Sequence, residues 1–134
     1  MSKSAVVYWS GTGNTEAMAK AIASAAGSEL YTANDFDASM ADNYDTIAFG
    51  CPAMGAESLE ETEFELMFDA CKVKLGGKKI ALFGSYGWGE GDWMDIWKDD
   101  CIAAGAEVVG TVICQGAPDG TALNELKTLA GIIK

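Results

Sequence analysis

Strand-like and helix-like segments alternate five times along this chain, and that alternation restricts the fold more than any other feature. Residues 5–9, 46–51, 79–85 and 108–114 are short, β-rich and almost wholly apolar, as strands buried on both faces must be, and 29–32 reads as a shorter strand. Helical spacing of the apolar residues fills the gaps. The first helix is expected over 15–26, with Met18, Ala21, Ile22 and Ala25 on one face. A single turn is expected at 38–42. A helix over 60–71 would bury Phe64, Met67, Phe68 and Cys71 and carry Glu60, Glu61, Glu63 and Glu65 in its N-terminal half. Helices over 93–104 and 121–133 would turn Ile96, Trp97 and Cys101, and then Leu123, Leu126, Leu129 and Ile133, inward. With no linker or repeat, 1–134 reads as one domain: an α/β doubly wound parallel sheet of five strands with helices on both faces. Ligands of such sheets sit beyond the carboxyl ends of the strands.

The loop after the first strand is Ser10-Gly11-Thr12-Gly13-Asn14-Thr15. It joins a strand to the start of a helix, where the first N–H groups have no helical acceptor and the aligned peptide dipoles leave roughly +0.5 charge. Those N–H groups, the hydroxyls of Ser10, Thr12 and Thr15 and the amide of Asn14 suit a phosphate, with Gly11 and Gly13 allowing close approach. The plainer alternative is a βα turn with a cap. Two other cradles fail on spacing: GxxxxGK[ST] needs a lysine after its second glycine, and GxGxxG needs glycine where this chain has Glu16. A monophosphate fits better than a pyrophosphate or triphosphate.

The totals remove several functions. Net charge is −11 among 134 residues, which argues against nucleic acid and anionic membranes and favours a partner with a basic face, simple solubility being the alternative. All nine cationic residues are lysine and histidine is absent, so the commonest general base, the bidentate phosphate clamp and the arginine finger are missing together. The cysteines at 51, 71, 101 and 114 have no metal-binding spacing and are expected to be free thiols. Met1-Ser2-Lys3-Ser4 leads directly into the first strand without room for a signal peptide, and no apolar run approaches a membrane span, so a cytoplasmic protein is expected.

Two more loops, 52–59 and 86–92, share the carboxyl edge with the first and place Met54, Tyr86 and Trp88 among glycines. Large groups in glycine-rich loops are poorly explained by core packing, although Trp88 could fold back over the sheet and Met54 could fill a gap. A phosphate at one end and a stacked flat ring at the other describe a mononucleotide.

Three stretches then carry a resemblance over nearly the whole chain: Tyr8-Trp9-Ser10-Gly11-Thr12-Gly13-Asn14-Thr15-Glu16, Gly50-Cys51-Pro52-Ala53-Met54-Gly55 and Ala81-Leu82-Phe83-Gly84-Ser85-Tyr86-Gly87-Trp88-Gly89. The chain resembles the short-chain flavodoxins, its fifth strand lacking the insertion of the long-chain group. The resemblance implies strand order 2-1-3-4-5, non-covalent FMN and low-potential one-electron transfer, mainly between semiquinone and hydroquinone, by an acidic monomer serving redox enzymes with basic docking faces. It places the phosphate at Ser10, Gly11, Thr12, Gly13, Asn14 and Thr15. The flavin ring falls among Pro52, Ala53, Met54, Gly55, Glu57, Ser85, Tyr86, Gly87, Trp88 and Gly89. Met54 would cover the inner ring face and Trp88 the outer, Gly55 would turn its carbonyl to flavin N(5)–H, and Glu57 would lie near N(3)–H. Pro52 stands where some relatives have a serine that contacts phosphate, and Ala56 where an acidic residue is common. A flavin-dependent quinone or nitro reductase on the same fold is the alternative function.

Overall fold

The computed structural model describes residues 4–11, 13–54, 59–87 and 91–134. Five strands, β1 (Ser4–Tyr8), β2 (Glu29–Thr32), β3 (Thr46–Gly50), β4 (Lys79–Tyr86) and β5 (Glu107–Gln115), form one sheet in the order β2-β1-β3-β4-β5, every pairing parallel. The helices are α1 (Asn14–Ala26), α2 (Ala38–Ala41), α3 (Phe64–Lys72), α4 (Asp92–Ala103) and α5 (Gly120–Ile133), with a 3-10 turn at Ala33–Asp35. The order reverses between β1 and β3, so the switch point lies between the first and third strands.

The period-two alternation of the strands divides the core into two layers. Ala5, Val7, Ile47, Phe49, Ile80 and Leu82 point to one face and meet Phe64, Phe68, Trp93 and Trp97 from α3 and α4. Val6, Tyr8, Ala48, Ala81, Phe83 and Val112 point to the other and meet Met18, Ile22, Leu126 and Leu129 from α1 and α5. Aromatic rings fill the first layer: Phe49 stands edge-on to both Phe64 and Phe68, and Trp97 edge-on to the same pair at 5.4 and 5.8 Å. The second layer is built of smaller groups, with Ala19, Ala23 and Ala26 of α1 in the same cluster as Ala48 and Ala81 of the sheet. Among the described residues no helix is long and apolar enough to cross a membrane.

Several expected faces and boundaries differ. α3 begins at Phe64, not at residue 60, because the preceding residues form its cap. Ile96, expected inward, is 66% exposed; the buried stripe of α4 is Trp93, Met94, Trp97 and Cys101, and two indoles fill the space that the smaller side chain would need. Leu123 is 38% exposed, its place in the α5 stripe taken by Ala122 and Leu126. In α1 the buried face includes Thr15, Ala19, Ala23 and Ala26 beside Met18 and Ile22, while Ala25 faces solvent.

Candidate cofactor site

Three loops converge at the carboxyl edge beside the switch point. After β1, the Trp9 N–H still donates to Gly50 O at 3.0 Å, and the chain then leaves the sheet. Gly13 caps α1 with φ 97°, a left-handed conformation that a β-carbon resists, and donates its N–H to Ser10 Oγ at 3.0 Å. Ser10 thereby closes the turn as an acceptor and keeps its own hydroxyl hydrogen for another partner. Thr15 is buried and its Oγ1 accepts the Ser85 N–H at 3.4 Å, fastening the first turn of α1 to β4. Gly11 lies under the Trp9 ring: a β-carbon there would stand 3.1 Å from the nearest ring carbon.

The second loop leaves β3 at Cys51 and is held by the sheet on one side. Cys51 N–H donates to Phe83 O at 3.1 Å and Ala53 N–H to Ser85 O at 3.0 Å. Its return is anchored at Glu60, whose N–H donates to Cys51 Sγ at 3.4 Å. The Glu60 carboxylate is buried at the head of α3 and accepts the N–H groups of Thr62, Glu63 and Phe64 at 2.8, 2.8 and 2.9 Å, together with the Thr62 hydroxyl. Burial alone would raise its pKa. The Thr62 hydroxyl and the three N–H groups outweigh burial and hold the carboxyl at about 2.

The third loop begins at the end of β4. Ser85 Oγ donates to Gly116 O at 2.6 Å, Gly116 N–H to Tyr86 O at 2.9 Å, and the Gln115 amide to Gly87 O at 3.1 Å. These bonds bind the end of β4 to the loop after β5, and Tyr86 packs on Trp93 with ring centroids 5.7 Å apart.

Between the loops lies a cavity of about 250 Å³. Eight residues expected at the site line it: Gly11, Asn14, Pro52, Ala53, Met54, Ser85, Tyr86 and Gly87. Trp9 and Gly116 line it too. Neither is among the residues expected at the site: Trp9 reads as the end of the first strand and as part of a stretch that carries the resemblance, and nothing local to Gly116 reveals that it returns to Ser85. Ser10 and Gly13 face a second, polar groove of about 480 Å³ on the far side of Trp9, with Glu16, Thr32, Asn34 and Glu63. Thr15 lines neither. Thr12, Gly55, Glu57, Trp88 and Gly89 lie outside the described residues. The cavity has apolar walls at Met54 and Tyr86, abuts the positive end of α1 through Gly11 and Asn14, and has no charged lining residue among those described. That donor set suits a mononucleotide with an anionic tail and a flat apolar head, as FMN is.

Residues 6–128 match the family described as Flavodoxin. The chain belongs to that family. FMN is accordingly its cofactor, and electron transfer rather than enzymatic turnover is its work. It is 50% identical over 119 residues to a flavodoxin of Megasphaera elsdenii, covering 85% of this chain and 87% of that one. It is 47% identical over 120 residues to a flavodoxin of Clostridium beijerinckii, with the same coverage of 85% and 87%. The solution structure of the two-electron reduced Megasphaera elsdenii flavodoxin superposes with a TM-score of 0.86 at 45% identity, covering 96% of this chain and 98% of that one. β5 runs from Glu107 to Gln115 without an inserted segment, the short-chain form of the flavodoxin sheet.

The thiols of this flavodoxin are all raised by burial. All four cysteines are free, and burial pushes Cys51 and Cys101 up to about 12 and Cys71 up to about 11. Thiols held that far above neutrality supply no thiolate at working pH.

Proposed function

We propose that this chain is a low-potential one-electron carrier that cycles FMN mainly between semiquinone and hydroquinone and exchanges electrons with redox enzymes that present basic docking faces. A monomer in the cytoplasm completes the reading. The observation that carries it is the uncharged cradle at the start of α1, open to a cavity walled by Met54 and Tyr86.

When bound, FMN supplies the redox chemistry, and the residues supply grip and bias. In this reading the phosphate lies on the 10–15 loop, where Ser10 and Thr15 each already accept a backbone N–H and so present their hydroxyl hydrogens as donors. Gly11, Thr12, Gly13 and Asn14 complete that grip. Pro52, Ala53 and Met54 cover one side of the ring and Tyr86, Gly87, Trp88 and Gly89 the other, with Ser85 beneath. Gly55 turns its carbonyl toward flavin N(5) and Glu57 lies by N(3).

The net charge of −11 opposes a second electron, but weakly at long range. One carboxylate about 12 Å away in water-like dielectric contributes only about 0.35 kcal/mol before screening. Exclusion of water from the ring therefore carries most of the bias.

The test is a visible spectrum and reductive titration of the purified protein. A flavin band that is lost in two well-separated one-electron steps supports this assignment. A colourless chain that takes up no FMN at micromolar concentration, or one that steadily oxidises NAD(P)H, overturns it.

A further inference from the structure

We propose that Trp9 and Glu63 are a positioning pair that sets the phosphate loop against the second loop, and with it the preference of the site for FMN over riboflavin. The proposal rests on the assignment of the 10–15 loop to the phosphate.

Trp9 stands between the two halves of the site. Its ring presses on Gly11, where a β-carbon would meet ring carbons at 3.1 and 3.3 Å, and it lines both the 250 Å³ cavity and the 480 Å³ groove. The ring is therefore the partition behind the phosphate loop. Its edge is fixed from outside that loop: the indole N–H donates to Glu63 Oε2 at 2.9 Å, across 54 residues of chain. Glu63 is itself held, because its N–H donates to Glu60 Oε1 at 2.8 Å, and Glu60 is the buried carboxylate that anchors the return of the second loop through Cys51. One chain of hydrogen bonds thus runs from the base of the ring-binding loop to the wall of the phosphate loop.

Glu63 lines the polar groove with Ser10 and Gly13 but not the cavity, whereas Trp9 lines both, so the bond ties the shared wall to the groove side. Without that tie the ring of Trp9 can swing off Gly11, and the loop loses the shape that brings its donors to one anion. Riboflavin, which has the ring but no phosphate, does not depend on that shape.

The experiment measures dissociation constants of the full chain for FMN and for riboflavin. The variants are Glu63→Ala, Glu63→Gln, Trp9→Phe, and Trp9→Phe combined with Glu63→Ala. Glu63→Ala and Trp9→Phe are each expected to weaken FMN about tenfold. Riboflavin should change by roughly twofold or less. The double variant should be no weaker than either single one, as for two partners of one bond. Glu63→Gln, which keeps an acceptor oxygen and drops the charge, should keep the parent ratio. Equal losses for both flavins would mean a general structural role and overturn the proposal, as would additive losses or a glutamine variant that behaves like alanine. A parent chain that binds the two flavins equally well would instead overturn the phosphate assignment, and the role of the pair with it.

Discussion

Trp93 donates its indole N–H to the carbonyl of Cys51 at 3.2 Å, joining the first turn of α4 to the residue at which the second loop leaves β3. The same indole packs on Tyr86 of the third loop. Two of the three loops around the cavity are therefore hung on one buried side chain, and the sheet edge beneath them is shaped to admit it.

Trp93→Phe keeps a ring in this position and removes the donor. It should destabilise the chain by about 2 kcal/mol, since the buried Cys51 carbonyl loses this donor. FMN binding should weaken as well, because Pro52, Ala53 and Met54, which line the cavity, follow Cys51 directly. Denaturant unfolding and flavin titration of the same variant measure both effects; unchanged values of both would mean the bond holds nothing.

Gly84 is small because of this arrangement. A β-carbon there would lie 2.2 Å from Cys51 O, a backbone atom that cannot step aside, and 3.1 Å from the Trp93 ring. Gly84→Ala should cost about 3 kcal/mol or more. Gly131, in α5 with nothing near its missing side chain, is the control: Gly131→Ala should stabilise by up to about 1 kcal/mol. Urea midpoints that move the same way for both would contradict the packing described.

Glu60 makes stability depend on pH in a defined direction. Its folded pKa of about 2 lies below the ordinary value of about 4.3, so its contribution is complete above pH 5 and is lost as pH falls through 4 toward 2. Glu60→Gln should cost on the order of 2 kcal/mol at pH 7. The gap between variant and parent should narrow steadily on acidification. Denaturant curves at pH 7, 5 and 3.5 that stay parallel would show that the carboxylate is not held as described.

The thiols should react unequally. Burial raises all four, but Cys51, Cys71 and Cys101 are fully buried whereas Cys114 is half-buried. An aromatic disulfide reagent at pH 8 should modify at most Cys114 in the folded protein and all four cysteines in denaturant. Rapid loss of two or more thiols under native conditions would place one of the buried three at the surface.

For Gly55 and Trp88 the expectations follow from the proposed function. Gly55→Val should draw the two one-electron potentials together more than it weakens FMN binding, because a branched side chain opposes the turn of its peptide. Trp88→Ala should loosen FMN by about 1 kcal/mol or more through lost stacking. A redox titration with unchanged separation counts against the first, and equal dissociation constants count against the second.

What could be read from the chain alone was whatever a short window encodes. Apolar runs and three-four spacing separate strands from helices within a few residues, so the order of elements, the sheet class and the place of the glycine-rich loop between β1 and α1 are all legible. A helix face was less so. In α1 nearly every candidate is alanine, and no hydropathy difference tells Ala25 from Ala26. At Ile96 the local pattern could not foresee two indoles on the same helix taking the interior.

Tertiary structure alone decided what joins distant residues. Trp9 meets Glu63, Thr15 meets Ser85, Ser85 meets Gly116, and Trp93 meets Cys51, each pair separated by 31 residues or more. Glu60 reads as a solvated helix acid; its four donors come from Thr62, Glu63 and Phe64 close by in the chain, but its burial against Cys51 is decided by the fold. Periodicity records which way a side chain points along its own element. Which partner waits there is set by the register of parallel strands and the packing of helices across them, and those are properties of the assembled chain.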